Sequence, residues 1–218
     1  MLNTTRSLAR QALTFPGYLP GSDETSRFID YLIAFTYSLK HQLRRTNGTA
    51  DLLKIRKPDS VRKEVDAAVY KPILMMKAMG LWVNGLRKDG KIDAIQQCAF
   101  DANLGNLSDI TGGCERIAST PIPYTYAVLL HRTVYLYCFL LPFGFVDTVG
   151  WMTPLIVTFI AYTFIALEAI GDEIEEPFGN EPNDLALNQM TAMIENTLLE
   201  MDGRVIKNVL VRNQRIVD

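Results

Sequence analysis

The sequence is short of the groups on which most catalytic and metal-binding chemistry depends. Its 218 residues hold two histidines, His41 and His131, and three cysteines. With so few imidazoles the commonest general acid–base partner is scarce. No GxSxG, P-loop, HExxH or dinucleotide-binding glycine pattern supplies a nucleophile or a phosphate cradle. The Glu-x-x-His pairs of a di-iron bundle are missing as well. Cys98, Cys114 and Cys138 have no CxxC spacing, and Cys138 sits inside an apolar run, so neither a disulfide framework nor a zinc knuckle is expected. The net charge is only −2, too small a field to gather polyanions, which excludes dedicated nucleic-acid binding. Met1 to Thr14 carry Arg6 and Arg10 on an amphipathic stretch with no apolar h-region, so they read as a helix rather than a secretory signal. Strand signals are lacking too, since period-2 alternation bounded by turn residues does not occur.

What the sequence does have is an uneven distribution of charge. Of its 22 Lys and Arg residues, 17 precede Pro121, four follow Met201, and only Arg132 lies between. Within that interval, Ile122–Val146 contains two ionisable groups, His131 and Arg132, and Val149–Ile170 contains one, Glu168. A helix needs about 20 residues to cross a hydrocarbon core, and both runs exceed that. Phe143 to Trp151, with Pro142, Gly144, Asp147 and Gly150 in or beside it, reads as a tight turn between antiparallel helices. Tyr124 and Tyr126 at one end and Trp151 at the turn stand where interfacial aromatics would. The expected object is a transmembrane hairpin; its rival is a buried hairpin inside a soluble all-α protein.

The remainder reads as amphipathic helix. Phe28, Tyr31, Leu32, Phe35, Leu39 and Leu43 recur at spacings of three and four after a Ser22 or Asp23 cap, predicting a helix near 24–45 that ends at Asn47-Gly48. A second should start at Asp59 or Ser60 and run through Val61, Val65, Val69, Ile73, Met76 and Val83 to Asp89-Gly90. A third runs from Ile92 through Leu104 and Leu107 to Gly112-Gly113, and a last one covers Leu187 to Met201. The fold class is therefore all-α: a helical membrane protein forming one unit over 1–218, with cytosolic helices (1–120), the hairpin (121–170), and an acidic loop with a C-terminal cytosolic helix (171–218). Both ends of the hairpin lead into polar helical segments, which places those segments on one side of the bilayer and the turn on the other.

Two features within this frame could carry chemistry. Six carboxylates fall between Asp172 and Asp184, and oxygen ligands suit hard cations, so a cation site or an electrostatic mouth competes with a solvated acidic turn. The EF-hand spacing is not met. Arg132, near the middle of a spanning helix, costs about 2.5–3.5 kcal/mol on insertion scales. It must face protein or water with an acceptor at hand, either in an interhelical pairing or in an ion path.

The segments Gly113-Cys114-Glu115-Arg116-Ile117-Ala118-Ser119-Thr120-Pro121-Ile122-Pro123-Tyr124, His131-Arg132-Thr133-Val134-Tyr135-Leu136-Tyr137, Leu141-Pro142-Phe143-Gly144 and 173–187 closely resemble the bacterial bestrophin-like family, with similarity from about Thr5 to about Asp202. The resemblance implies a subunit of a homopentameric, mostly helical ion channel in the bacterial inner (plasma) membrane, its partners being inorganic ions, the lipid bilayer and its own copies. Ions would pass along the central axis, and no enzyme activity is implied. The family's narrow hydrophobic neck belongs to a membrane helix upstream of the segment that aligns with Met1. The chain is thus expected to lack the N-terminal two membrane helices, as a natural truncation, a late start or a fragment. A second constriction is formed in the family by an apolar residue some 18 positions before the Ile-Pro pair, which falls at Leu104, with Leu107 the next choice and ordinary helix packing the rival. Animal members clasp calcium with an acidic loop that Glu173, Glu176, Glu181 and Asp184 match in position. Pro182 and Asn183 interrupt it here, so no calcium cofactor is expected. Animal members favour chloride and some bacterial ones resemble cation channels, which leaves selectivity open. The alternatives are a non-conducting membrane scaffold or truncated subunit and, less in keeping with the runs, a soluble helical enzyme.

Overall fold

The computed structural model describes residues 1–19, 21–53, 55, 68–120, 123–180 and 184–206. Eight α-helices appear among them, with no strand. They divide into two compact units, one built from Met1–Arg116 and the segment after Ala186, the other from Ile117–Leu185.

The first unit is organised around α2 (Asp23–Leu43). Ser22 caps it by accepting from the Thr25 N–H, and Asp23 and Glu24 at its start and Lys40 at its end complement the helix dipole. Helices α1 (Leu2–Thr14), α3 (Thr49–Leu53), α4 (Lys71–Lys88) and α8 (Leu187–Met201) all pack against it. Being surrounded, α2 is buried well beyond the predicted stripe. Phe28, Leu32, Phe35 and Leu39 are covered as expected, and Ile29, Ile33 and Ala34 are covered with them. Each large side chain so buried contributes about 1.5–3 kcal/mol. Phe28, Trp82 and Phe100 form an aromatic knot, the Phe28 ring 4.5 Å from Trp82 and 6.0 Å from Phe100, with Phe15 edge-on to Phe100 at 5.7 Å.

Two expected helix boundaries shift. The helix predicted to begin at Asp59 or Ser60 starts outside the described residues. It does not run unbroken into α4, because 68–70 are not helical and Val69 is exposed. Pro72 lies in the first turn of α4, where its missing N–H costs nothing; inside a continuous helix it would remove a hydrogen bond. Helix α5 (Ala94–Ser119) opens with a reciprocal capping box, Gln96 N–H to Asp93 Oδ1 at 2.7 Å and Asp93 N–H to Gln96 Oε1 at 3.0 Å. It passes through Gly112-Gly113 instead of ending there. Each glycine costs about 1 kcal/mol in a helix, which buried Leu107 and Thr111 on one side and the Gln42–Glu115 hydrogen bond on the other offset.

Beyond α8, the buried Asp202 carboxylate accepts from Ser26 Oγ (2.8 Å) and Gly21 N–H (3.1 Å) and pairs with Arg204 Nε (2.8 Å), while Arg204 also donates to buried Asp30 (2.7 Å). This network ties the end of the unit to the start of α2.

The second unit is the hairpin. Helix α6 (Tyr124–Val149) and α7 (Thr153–Glu175) are joined by a 3₁₀ turn, Gly150–Met152. At 26 and 23 residues they extend about 39 and 35 Å, enough for a hydrocarbon core of about 30 Å. The turn falls later than Phe143–Trp151 suggested: Pro142 and Gly144 lie within α6. The chain reverses at Gly150, whose φ of 56° is open to glycine at no steric cost, and the Thr153 hydroxyl donates to the Gly150 carbonyl at 2.6 Å.

Candidate functional site

The hairpin wears its apolar side chains outward. Leu129, Leu136, Phe139 and Phe143 on α6, and Leu155, Phe159 and Tyr162 on α7, each have more than half their surface exposed. Among the described apolar residues of this unit, only Leu141 and Phe178 are buried. Trp151 is fully exposed at the turn, and Tyr124 and Tyr126 stand exposed at the other end. A soluble helical pair that exposed this much leucine and phenylalanine would aggregate. Surrounded by lipid, the same arrangement is favourable, with aromatics at both interfaces.

Between the two helices, Tyr137 meets Phe164 edge-on at 5.5 Å, and His131 Nδ1 contacts Glu168 Oε1. The Glu168 side chain is nine-tenths covered and the His131 ring stacks on Tyr135. The interhelical partner of Glu168 is thus His131. Arg132 is exposed and, among the described residues, makes no hydrogen bond or ion pair.

In the described part of the acidic stretch the chain turns at 176–179. Gly179 N–H donates to the Glu176 carbonyl (3.2 Å), Leu185 N–H to the Pro177 carbonyl (3.0 Å), and Phe178 is buried beneath. Asp184 lies so close to Gly179 that an added Cβ would sit 2.5 Å from its Oδ2. Glu176 is exposed and Asp184 half-buried. Glu181, Pro182, Asn183 and the side chain of Glu173 fall outside the described residues. No group of three potential metal ligands gathers among the described residues.

The two predicted constriction residues part company. Leu107 is fully buried in the core of the first unit, so it packs and cannot line an aperture from where it stands. Leu104 is half-buried, one side against that core. It borders an exposed strip of α5 that includes Cys98, Asp101, Ala102 and Gly105.

Sequence spacing could not reveal the polar contacts across the first unit. Tyr37 donates to Glu195 at 2.6 Å; burial first, and then this carboxylate, push its phenol well above the usual tyrosine range. His41 sits between Thr46 (2.7 Å) and Asp51 (3.0 Å), and Lys40 reaches Asp51 at 3.2 Å. Burial raises the Cys114 thiol, which keeps it protonated and unreactive.

A family model for bacterial and fungal bestrophin proteins matches residues 1–200. The chain belongs to the bestrophin family. Among relatives, a voltage-dependent anion channel-forming protein of Ralstonia nicotianae is 47% identical over 203 residues, 93% of this chain and 66% of that one. The voltage-dependent anion channel-forming protein YneE of Escherichia coli is 37% identical over 202 residues, 93% of this chain and 65% of that one. The crystal structure of a bacterial bestrophin homologue from Klebsiella pneumoniae superposes with a TM-score of 0.86 at 40% identity, covering 94% of this chain and 75% of that one. The bestrophin fold seen here is thus that of an all-α membrane protein, as the hairpin required. The chain spans just under two thirds of the length of the curated relatives named above.

Proposed function

We propose that this bestrophin is a subunit of an oligomeric ion channel that conducts passively, with no catalytic step. The observation that carries the reading is the outward-facing hairpin. Its exposed leucines and phenylalanines are stable only in lipid or against other membrane helices. The names of the relatives, anion channel-forming proteins, favour anions as the cargo. In this reading the hairpin lies in the plasma membrane, the polar helices are cytosolic, and copies assemble around a shared axis as a homopentamer. Leu104 borders the path and contributes an apolar narrowing that conducts when wetted. The acidic turn with Glu173, Glu176, Glu181 and Asp184 forms an electrostatic mouth, and calcium is no cofactor.

Reconstitution into liposomes loaded with a halide-sensitive dye tests this. A halide flux well above that of protein-free vesicles is expected, with Leu104→Ala increasing it. Flux no greater than in empty vesicles sinks the channel reading; unchanged flux in the variant removes Leu104 alone. Calorimetric titration with calcium is expected to give no heat of binding, and a dissociation constant below about 10 µM, within the range of calcium sensors, would overturn that part.

A further inference from the structure

We infer that Arg44 and Arg45, at the C-terminal end of α2, form a binding site for the phosphate headgroups of anionic membrane lipids. The hairpin need only sit in a bilayer for this; conduction is not required.

Counted along the chain, basic charge beside the hairpin is sparse. Arg116 is the only Lys or Arg within about 20 residues before Tyr124, and none falls within about 20 after Glu175. The fold of the first unit adds two more. Gln42, in the last turn of α2, donates to Glu115 Oε1 at 2.5 Å, which fixes that end of α2 beside the end of α5, where the chain departs for α6. The return connection arrives at the same end. Ser26 meets Asp202 and Tyr37 meets Glu195, so α2 and α8 run antiparallel. At helical rise Arg44 lies about 10 Å beyond Tyr37, and Leu187, the first residue of α8, lies about 12 Å beyond Glu195 in the same direction. Both connections to the membrane helices therefore leave from the level of Arg44 and Arg45.

The backbone at this end is fixed, since the Arg44 and Arg45 N–H groups donate to the Lys40 and Gln42 carbonyls at 3.1 and 3.2 Å. The guanidinium groups are not engaged. Arg45 is exposed and Arg44 half-buried with its Nε covered, and neither side chain makes a hydrogen bond or ion pair among the described residues. The carboxylates bonded to this end of α2 are already satisfied, Glu115 by Gln42 and Asp51 by Lys40 (3.2 Å) and His41 (3.0 Å). An arginine fork matches the oxygens of a phosphate. With a net charge of −2 and the carboxylates of the acidic stretch following α7, the chain exerts no general attraction on anionic lipid. Headgroup capture then falls to these arginines, acting within about 8 Å.

The test is native mass spectrometry of the full chain in detergent, titrated with phosphatidylglycerol or phosphatidylcholine. Wild type should bind phosphatidylglycerol more tightly. Each basic residue at an anionic surface is worth about fivefold in affinity, so Arg44→Gln/Arg45→Gln should weaken phosphatidylglycerol binding about 25-fold and leave phosphatidylcholine unchanged. Arg44→Lys/Arg45→Lys, which keeps the charge, should retain most of the affinity. Arg10→Gln is the control and should match wild type: Arg10 is exposed on α1 beside Gln11, which bonds Ala99, about 24 Å back along α5 from Glu115. Equal affinity of wild type for the two lipids, an unchanged affinity in the glutamine pair, or an equal loss in the lysine pair overturns the inference. So does displacement of phosphatidylglycerol by millimolar inorganic phosphate, which would mark a site for the free anion. Absence of wild-type flux in liposomes defeats the channel reading and leaves this one standing.

Discussion

Exposure of apolar surface means opposite things in water and in lipid, and one pair of substitutions separates them. Phe139 lies near the middle of α6 and is 68% exposed; Val205, beyond α8, is 88% exposed. If both faced water, Phe139→Lys and Val205→Lys would each change stability by no more than about 0.5 kcal/mol, as surface changes usually do. With Phe139 at the bilayer centre, a lysine there costs about 2.5–3.5 kcal/mol on insertion scales, and the favourable phenylalanine term is lost as well. For a chain of this size about 3 kcal/mol corresponds to a fall in Tm of roughly 6–12 °C. Thermal unfolding in lipid nanodiscs, followed by fluorescence of the buried aromatic knot around Trp82, should show that drop for Phe139→Lys and almost none for Val205→Lys. Equal shifts in the two variants, or none in either, would refute a lipid-facing α6.

Asp202→Ala removes the acceptor shared by Ser26, Gly21 and Arg204 and leaves Arg204 beside Asp30 alone. Removing a buried acceptor in this way should cost about 1–3 kcal/mol in chemical denaturation of the detergent-solubilised protein, and a loss below about 0.5 kcal/mol would show the network to be dispensable. Alkaline pH probes Tyr37. Its folded pKa is raised above the ordinary value of 10.0 by burial and then by Glu195, so the folded state holds the phenol proton more tightly than the unfolded chain. The stabilisation is complete below about pH 10 and declines as pH rises from there towards the folded pKa. Unfolding midpoints recorded upward from pH 9 should fall more steeply for wild type than for Tyr37→Phe, and parallel curves would remove Tyr37 from that account.

The features legible in the sequence were those set by local chemistry. Two runs of more than 20 residues with three ionisable groups between them announce membrane helices by length alone. Ser22 announces the start of α2, because a hydroxyl that satisfies an orphan N–H works within one turn. Period-3.6 spacing named most of the buried side of α2. The motif from Gly113 to Tyr124 and the segments after it pointed to the family that the comparison then showed.

What local chemistry could not decide was how competing signals resolve once other elements press on them. Gly112-Gly113 looked like a helix end, but α5 continues because Leu107 and Thr111 are buried on one side of the glycines and Glu115 is bonded to Gln42 on the other. Pro142 and Gly144 looked like the hairpin turn, yet the reversal waits for Gly150 and its positive φ. Leu104 and Leu107 share one apolar periodicity, and only packing shows that the second is sealed in the core while the first keeps an open side. His131 and Arg132 are adjacent letters with opposite fates, since the helix rotates one toward Glu168 and the other away from it. Ser26 meets Asp202 across 176 positions of chain. Composition and period act over a few residues, whereas a hydrogen bond or a buried contact depends on which surfaces the whole chain brings together, and that is settled only in three dimensions.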